Sequence, residues 1–105
     1  MMVVKKNGRK SPFDREKLSK SIYIALKKRP IDTDTVEKFI TNISRSLEEL
    51  GQSEIASNVI GTMVMDGLKN LDPVAYVRFA SVYRNFREEK DFIQFVDKID
   101  VFKKR

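Results

Sequence analysis

Met2 to Lys6 is a β-prone run, and Asn7-Gly8 after it is a strong two-residue hairpin signal. Arg9 to Phe13 forms the return arm, with Pro12 limiting how far it can pair. Asp14 reads as a helix N-cap. Phe13 just before it and Leu18 four residues after it make a hydrophobic staple. Leu18, Ile22, Ala25 and Leu26 recur at helical spacing, and the first helix stops before Pro30.

The same period returns three more times. Asp32 to Asp34 offer caps for a second helix whose apolar face is Val36, Phe39, Ile40, Ile43, Leu47 and Leu50, with Gly51 as its stop. Ser53 is the expected cap of a third helix through Ile55, Val59, Ile60, Met63, Val64 and Leu68. Gly61 and Gly67 cost that helix about 1 kcal/mol each in propensity, and they are read as sites of close helix packing rather than hinges. Asp72-Pro73 is a cap followed by proline at the first helical position. The fourth helix then sets Tyr76, Phe79, Ala80, Tyr83 and Phe86 on one side. Phe92, Phe95, Val96 and Ile99 continue the period as an extension or a short fifth helix, and Lys103 to Arg105 form a basic tail. The expected fold is α+β, mainly α: four helices of roughly 12–18 residues in a bundle with short connections, capped by an N-terminal β-hairpin. Residues 1–96 are expected to form one domain and 97–105 its basic C-terminal tail.

Composition narrows the chemistry. At 105 residues the chain is one domain, large enough to bury roughly 60–70% of its unfolded surface. It has no cysteine and no histidine, which excludes disulfides, thiol catalysis, zinc ribbons and Ser-His or Cys-His machinery within it. No apolar run approaches the roughly 20 residues of a membrane span, and the basic start is not followed by the apolar stretch of a signal peptide. A cytoplasmic location without membrane contact is expected.

The net charge of +6 is uneven. Residues 1–30 hold ten Lys/Arg against two acids, whereas residues 31–105 hold eleven against thirteen. Attraction for anions is therefore concentrated at the N-terminal end, which points to a phosphate-bearing partner, nucleotide or nucleic acid, against the plainer reading of a solvated basic surface.

Lys17 is the sharpest candidate. It lies in the first helical turn, where it works against the helix dipole, and an anion bound at that helix start would compensate it. Lys5 and Lys6 are neighbours on a strand and point to opposite faces, so only one lies squarely in a site. Tyr76, Phe79 and Tyr83 are read first as core residues, with stacking on a base as the lesser reading. Arg78, Arg84 and Arg87 are read as helix-surface charges. The chain has neither a phosphate loop of the Gly-x-x-x-x-Gly-Lys type nor a Gly-x-Gly-x-x-Gly pattern. No pair of acids demands an acid–base role, so binding is expected and catalysis is not.

The series Val3, Lys5, Lys6, Asn7, Gly8, Phe13, Asp14, Lys17 and Leu18 resembles the opening motif of the ATP-cone. That is the nucleotide-sensing domain of ribonucleotide reductases and of the NrdR repressors. Ser53-Glu54-Ile55 with Val64 to Lys69, and the run Asp72 to Phe86, resemble the NrdR family specifically. The resemblance covers roughly residues 3–96. It implies a nucleotide-sensing regulatory and oligomerisation domain, not an enzyme, from a repressor of ribonucleotide reductase genes. ATP or dATP, with Mg, would bind between cap and helices and set a homo-oligomeric state. Val3 would lie beside the base; Lys5, Lys6 and Lys17 would lie around the phosphates. Asp14 and Ser11 would lie near the adenine, and Gln52 and Ser53 would lie where the site closes. Lys6 replaces the arginine usual in the family, and Ser11 stands where a glutamate is common. NrdR proteins read DNA through a four-cysteine zinc ribbon, which this chain lacks, so the chain is expected to be a domain fragment. The alternatives are the N-terminal cone of a reductase catalytic subunit, and a small basic nucleic-acid-binding module with salt-sensitive affinity.

Overall fold

The computed structural model describes residues 1–98. Strands β1 (Met2–Val4) and β2 (Lys10–Pro12) lead into helices α1 (Arg15–Ala25) and α2 (Thr33–Glu49). A third strand, β3 (Glu54–Ala56), precedes helices α3 (Ser57–Leu71), α4 (Pro73–Tyr83) and α5 (Glu89–Asp97). The class is α+β and mainly α, as the pattern predicted. The expected apolar position Ile99 and most of the expected tail lie outside the described residues. No helix among the described residues is long and apolar enough to cross a membrane.

The stripes read from the sequence make the core. Leu18 and Ile22 of α1, Ile40 and Leu47 of α2, and Val64 and Leu68 of α3 are all buried in one cluster. Helix α1 packs on α2 and α4, and α3 packs on the same two, so the four helices close a cycle. At the margins the pattern overreached. Leu50, assigned to the apolar face of the second helix, caps α2 and is 44% exposed. Gly51 follows it at φ 63°, the left-handed stop that glycine provides without steric cost. Phe86 lies beyond α4, which ends at Tyr83. Arg84 is the cap, Asn85 takes φ 55°, and α5 is a separate helix. Its Phe95 ring sits 5.3 Å from Tyr76 and 5.4 Å from Phe86, with the Arg84 guanidinium 5.6 Å above it.

The N-terminal cap is larger than a hairpin. The sheet order is β2-β1-β3, with Val3 opposite Ser11 on the antiparallel side and opposite Ile55 on the parallel side. Ser53 is therefore not a helix cap: its carbonyl accepts the Met2 N–H at 2.8 Å. The third helix starts only at Ser57, after Ala56, with no side chain capping it. A three-residue strand carries no readable period, and β3 exists because β1, distant in sequence, offers it a partner. The salt bridge from Lys10 Nζ to Glu54 at 2.7 Å ties the outer strands across β1.

The hairpin turn also differs from expectation. The Lys5 N–H bonds to Arg9 O at 2.8 Å and the Gly8 N–H to Lys5 O at 2.9 Å. Gly8 has φ 83°, while Asn7 is not left-handed. This is a three-residue loop, Lys6-Asn7-Gly8, closed by a left-handed glycine, rather than a two-residue turn that needs positive φ at both positions. The Asn7 side chain accepts the Arg9 N–H at 3.0 Å instead.

Two polar ties fix the helices. Asp72 caps α4, accepting the Ala75 N–H at 2.9 Å, and takes Arg29 Nε at 2.9 and 3.0 Å on its two oxygens. Arg78, read as a surface charge, donates to the carbonyls of Ala25 and Lys27 at 3.2 and 2.7 Å. It thereby closes the C-terminal end of α1, where carbonyls are otherwise unpaired.

The two helical glycines are packing sites. A Cβ at Gly67 would meet the Phe39 ring, and one at Gly61 would meet the Tyr83 ring. Phe39 is packed against the core, so Gly67→Ala is expected to destabilise by about 1–3 kcal/mol through overpacking. Tyr83 is 36% exposed, so its ring can yield toward solvent at the cost of its hydroxyl bond to the Asn58 carbonyl. For Gly61→Ala the helix-propensity gain of about 1 kcal/mol then offsets most of the clash. Urea unfolding midpoints should rank Gly67→Ala well below Gly61→Ala; equal midpoints would contradict this packing.

Candidate functional site

A cavity of about 370 Å³ lies between the sheet and the helices. Side chains two apart on a strand share a face, so Val3 and Lys5 both turn toward it, and Ser11 joins them by standing opposite Val3. On α1 the helical period brings Asp14, Lys17, Leu18 and Ser21 to the same wall. Helix α3 contributes Ser57, Ile60 and Val64, and α4 contributes the Phe79 and Tyr83 rings, stacked 6.0 Å apart at 21°.

The wall chemistry is divided. Leu18, Ile60, Val64 and the two rings make an apolar interior, while Lys5 and Lys17 stand exposed at its margin. Neither lysine takes part in the ion pairs of the described residues. The only acid on the lining is Asp14. Its carboxylate accepts the backbone N–H groups of Glu16 at 2.9 Å and Lys17 at 3.4 Å. A negative charge of the chain's own thus already occupies the start of α1, the place where a bound anion was expected. The start of α3 is different: no side chain caps it, and Ser57, its first residue, lines the cavity. The unpaired N–H groups of such a helix start favour an anion.

Five of the eight residues singled out from the sequence come together here: Val3, Lys5, Ser11, Asp14 and Lys17. Lys6 sits in the hairpin turn and is exposed, so of the two neighbouring lysines it is Lys5 that faces the cavity. Gln52 and Ser53 lie in the exposed segment before β3, off the cavity lining. Sequence reasoning missed Ser21, although it stands one turn after Lys17. It also missed Ser57, which the misplaced start of the third helix concealed. Phe79 and Tyr83 carried a signal that reads equally well as core. Among the described residues no group of three acidic side chains could hold a metal ion.

The family model described as the ATP cone domain matches residues 1–89. The chain is 85% identical over its whole length to the transcriptional repressor NrdR of Pelagibacter ubique, covering 69% of that protein. It is 58% identical over 97 residues to the transcriptional repressor NrdR of Rhodospirillum rubrum, which spans 92% of this chain and 64% of that one. It is 56% identical over 101 residues to that of Azorhizobium caulinodans, which spans 96% of this chain and 58% of that one. All three relatives are transcriptional repressors rather than enzymes. With the sheet-capped helices and the lysine-rimmed cavity already in place, the matches settle the family: this chain is an ATP-cone of the NrdR transcriptional repressors.

Proposed function

We propose that the cavity binds ATP or dATP and that the chain is the nucleotide-sensing and self-associating part of an NrdR-type repressor of ribonucleotide reductase genes. The observation that carries this reading is the division of the cavity: an apolar, aromatic-walled interior of about 370 Å³ beside two lysines without acidic partners. The interior suits a purine, which gains from burial against rings. Lys5, Lys17 and the uncapped start of α3 suit phosphates. Mg²⁺ would enter on the phosphate oxygens, since it keeps most of its waters and needs few protein ligands. Lys6, Gln52 and Ser53 would take part only by reaching in from the rim. Operator DNA would be read by the four-cysteine zinc ribbon that the NrdR resemblance implies and not by this chain, which has no cysteine, in the bacterial cytoplasm.

Calorimetry of this chain with ATP, dATP and GTP tests the binding, and size-exclusion chromatography with and without nucleotide tests self-association. Saturable binding of ATP and dATP, with a change in elution volume, is expected. Absence of adenine-nucleotide binding at millimolar concentration would overturn the proposal.

A further inference from the structure

The four most exposed large hydrophobic side chains among the described residues are Val82, Ile24, Ile93 and Phe92, at 82%, 63%, 47% and 45%. None of them lines the cavity described above. A single such residue on a surface needs no explanation. These four fall into two pairs, each framed by charge of one sign.

The first pair lies on α1 and α4. Lys20, Ile24 and Lys27 follow at i, i+4 and i+7 and share the outward face of α1. Lys27 stays in step because its N–H still bonds to the Ile24 carbonyl, at 3.3 Å. Val82 stands on the neighbouring helix, one turn after Arg78, whose guanidinium reaches the Ala25 and Lys27 carbonyls at the end of α1. The second pair lies on α5. Glu89, Ile93 and Asp97 follow there at i, i+4 and i+8, with Phe92 beside Ile93. Lys20, Lys27, Glu89 and Asp97 enter no ion pair among the described residues, whereas Lys90 on α5 is already taken by Glu88 at 3.2 Å. Glu89 suits the positive start of α5, but Asp97 is its last residue, where the helix dipole disfavours an acid.

The two stripes match. Each sets an isoleucine between two like charges, and the signs are opposite. At about 1.5 Å per residue the charges stand about 10 Å apart on α1 and about 12 Å apart on α5. Both stripes also border α4: Arg78 reaches the end of α1, and with Phe92 and Val96 it lines the cleft between α4 and α5.

We infer that the α1 face of one copy of this chain docks on the α5 face of a second copy, Ile24 against Ile93, with Lys20 and Lys27 opposite Glu89 and Asp97. This rests on the self-association proposed above and names its surface. Because both stripes flank α4, a two-fold axis lets each copy give and receive the same contact, which closes a dimer rather than a growing chain. Exposed ion pairs contribute little each, so burial of the four hydrophobic side chains supplies the affinity. The charges decide which faces meet, since α1 on α1 or α5 on α5 sets like charges together.

The chain has no cysteine, so a cysteine introduced at one position reports one contact. Ile24→Cys and Ile93→Cys, mixed under mild oxidation, are expected to form a disulfide between positions 24 and 93, identified by mass spectrometry of the joined peptides. Either variant alone should cross-link to less than about a tenth of that yield, because a disulfide needs its two Cα atoms within about 7 Å. In sedimentation, Lys20→Glu with Lys27→Glu should weaken self-association about tenfold or more, and so should Glu89→Lys with Asp97→Lys. An equimolar mixture of these two double variants should associate as wild type does, since each reversed face then meets an opposite charge. That rescue also verifies that both variants fold. Self-association of wild type without the 24–93 disulfide, or without rescue on mixing, would overturn this surface and leave self-association standing. A wild-type chain that stays monomeric at millimolar concentration, with and without ATP, would overturn both. Binding of duplex DNA that the lysine reversals abolish and the acid reversals leave unchanged, in a chain whose association neither pair alters, would make the α1 face a nucleic-acid contact and overturn the docking.

Discussion

Asp72→Ala is expected to remove about 3–5 kcal/mol of stability, a large share of the roughly 5–15 kcal/mol of a domain this size. Asp72 is 4% exposed, yet it is ionised and does two jobs. It caps α4 through the Ala75 N–H and binds Arg29 on both oxygens. Burial pushes its carboxyl up, but the Ala75 N–H and the Arg29 guanidinium together outweigh burial and hold it below the ordinary aspartate value. Alanine leaves the helix start uncapped, which alone costs about 1 kcal/mol. It also leaves Arg29, whose side chain is 31% exposed, without its counter-charge. Thermal unfolding followed by circular dichroism should show a fall in Tm of about 15 °C or more. Asp72→Asn keeps a capping oxygen and loses the charge, so its loss should be about half as large.

The pH dependence separates the charge from the cap. Because the folded value of Asp72 is depressed, its contribution is fully present above the unfolded value of about 3.9 and is lost as pH falls through the lower folded value. The stability of wild type should therefore converge on that of Asp72→Asn in this acid range and stay apart from it at neutral pH. A constant gap from pH 7 down to pH 2 would show that the ion pair contributes nothing.

The second large effect is on binding. Lys5→Ala combined with Lys17→Ala should weaken triphosphate binding by about 3 kcal/mol or more, a factor of about 100 at least, with each single variant losing about half of that in free energy. Both lysines are exposed, so the losses should shrink as salt is raised. Lys17 opposes the dipole of α1, so Lys17→Ala should leave Tm unchanged or slightly raised. Lost affinity without lost stability would mark a side chain kept for a ligand. Lys6→Ala is the discriminating companion. Lys6 lies in the turn, off the cavity lining, and its loss should change affinity less than about threefold. If Lys6→Ala matches Lys17→Ala, the hairpin closes over the ligand in a way this geometry does not contain.

Much of the scaffold was legible in the chain because its signals are local. Asp14 and Asp72 cap the helices they were expected to cap, and Gly51 ends α2 in the conformation that suits glycine. The apolar stripes of α1, α2 and α3 are the core. Where local signals were ambiguous the reading failed. Ser53 resembles a cap and Glu54-Ile55-Ala56 suits a helix as well as a strand, so only pairing with β1 decides between them. Phe86 continues a helical period on paper, but Asn85 at φ 55° turns the chain before it.

The candidate site divides along the same line. The period-two and period-3.6 rules put Lys5 with Val3, and Lys17 with Asp14, from sequence alone, since each pair lies on one element. That these two faces meet across one cavity, that Phe79 and Tyr83 close it, and that Ser21 and Ser57 belong to it depended on how the elements pack. So did the partners of Arg29 and Arg78, which lie more than forty residues away from them. The sequence by itself determined the hairpin and the helices, most of their buried faces and the sign of the charge at the N-terminal end. The tertiary structure alone decided which face each lysine turns to and which helix start is left uncapped. Periodicity and capping act over one turn of chain, whereas a site is made by side chains that only folding brings into reach.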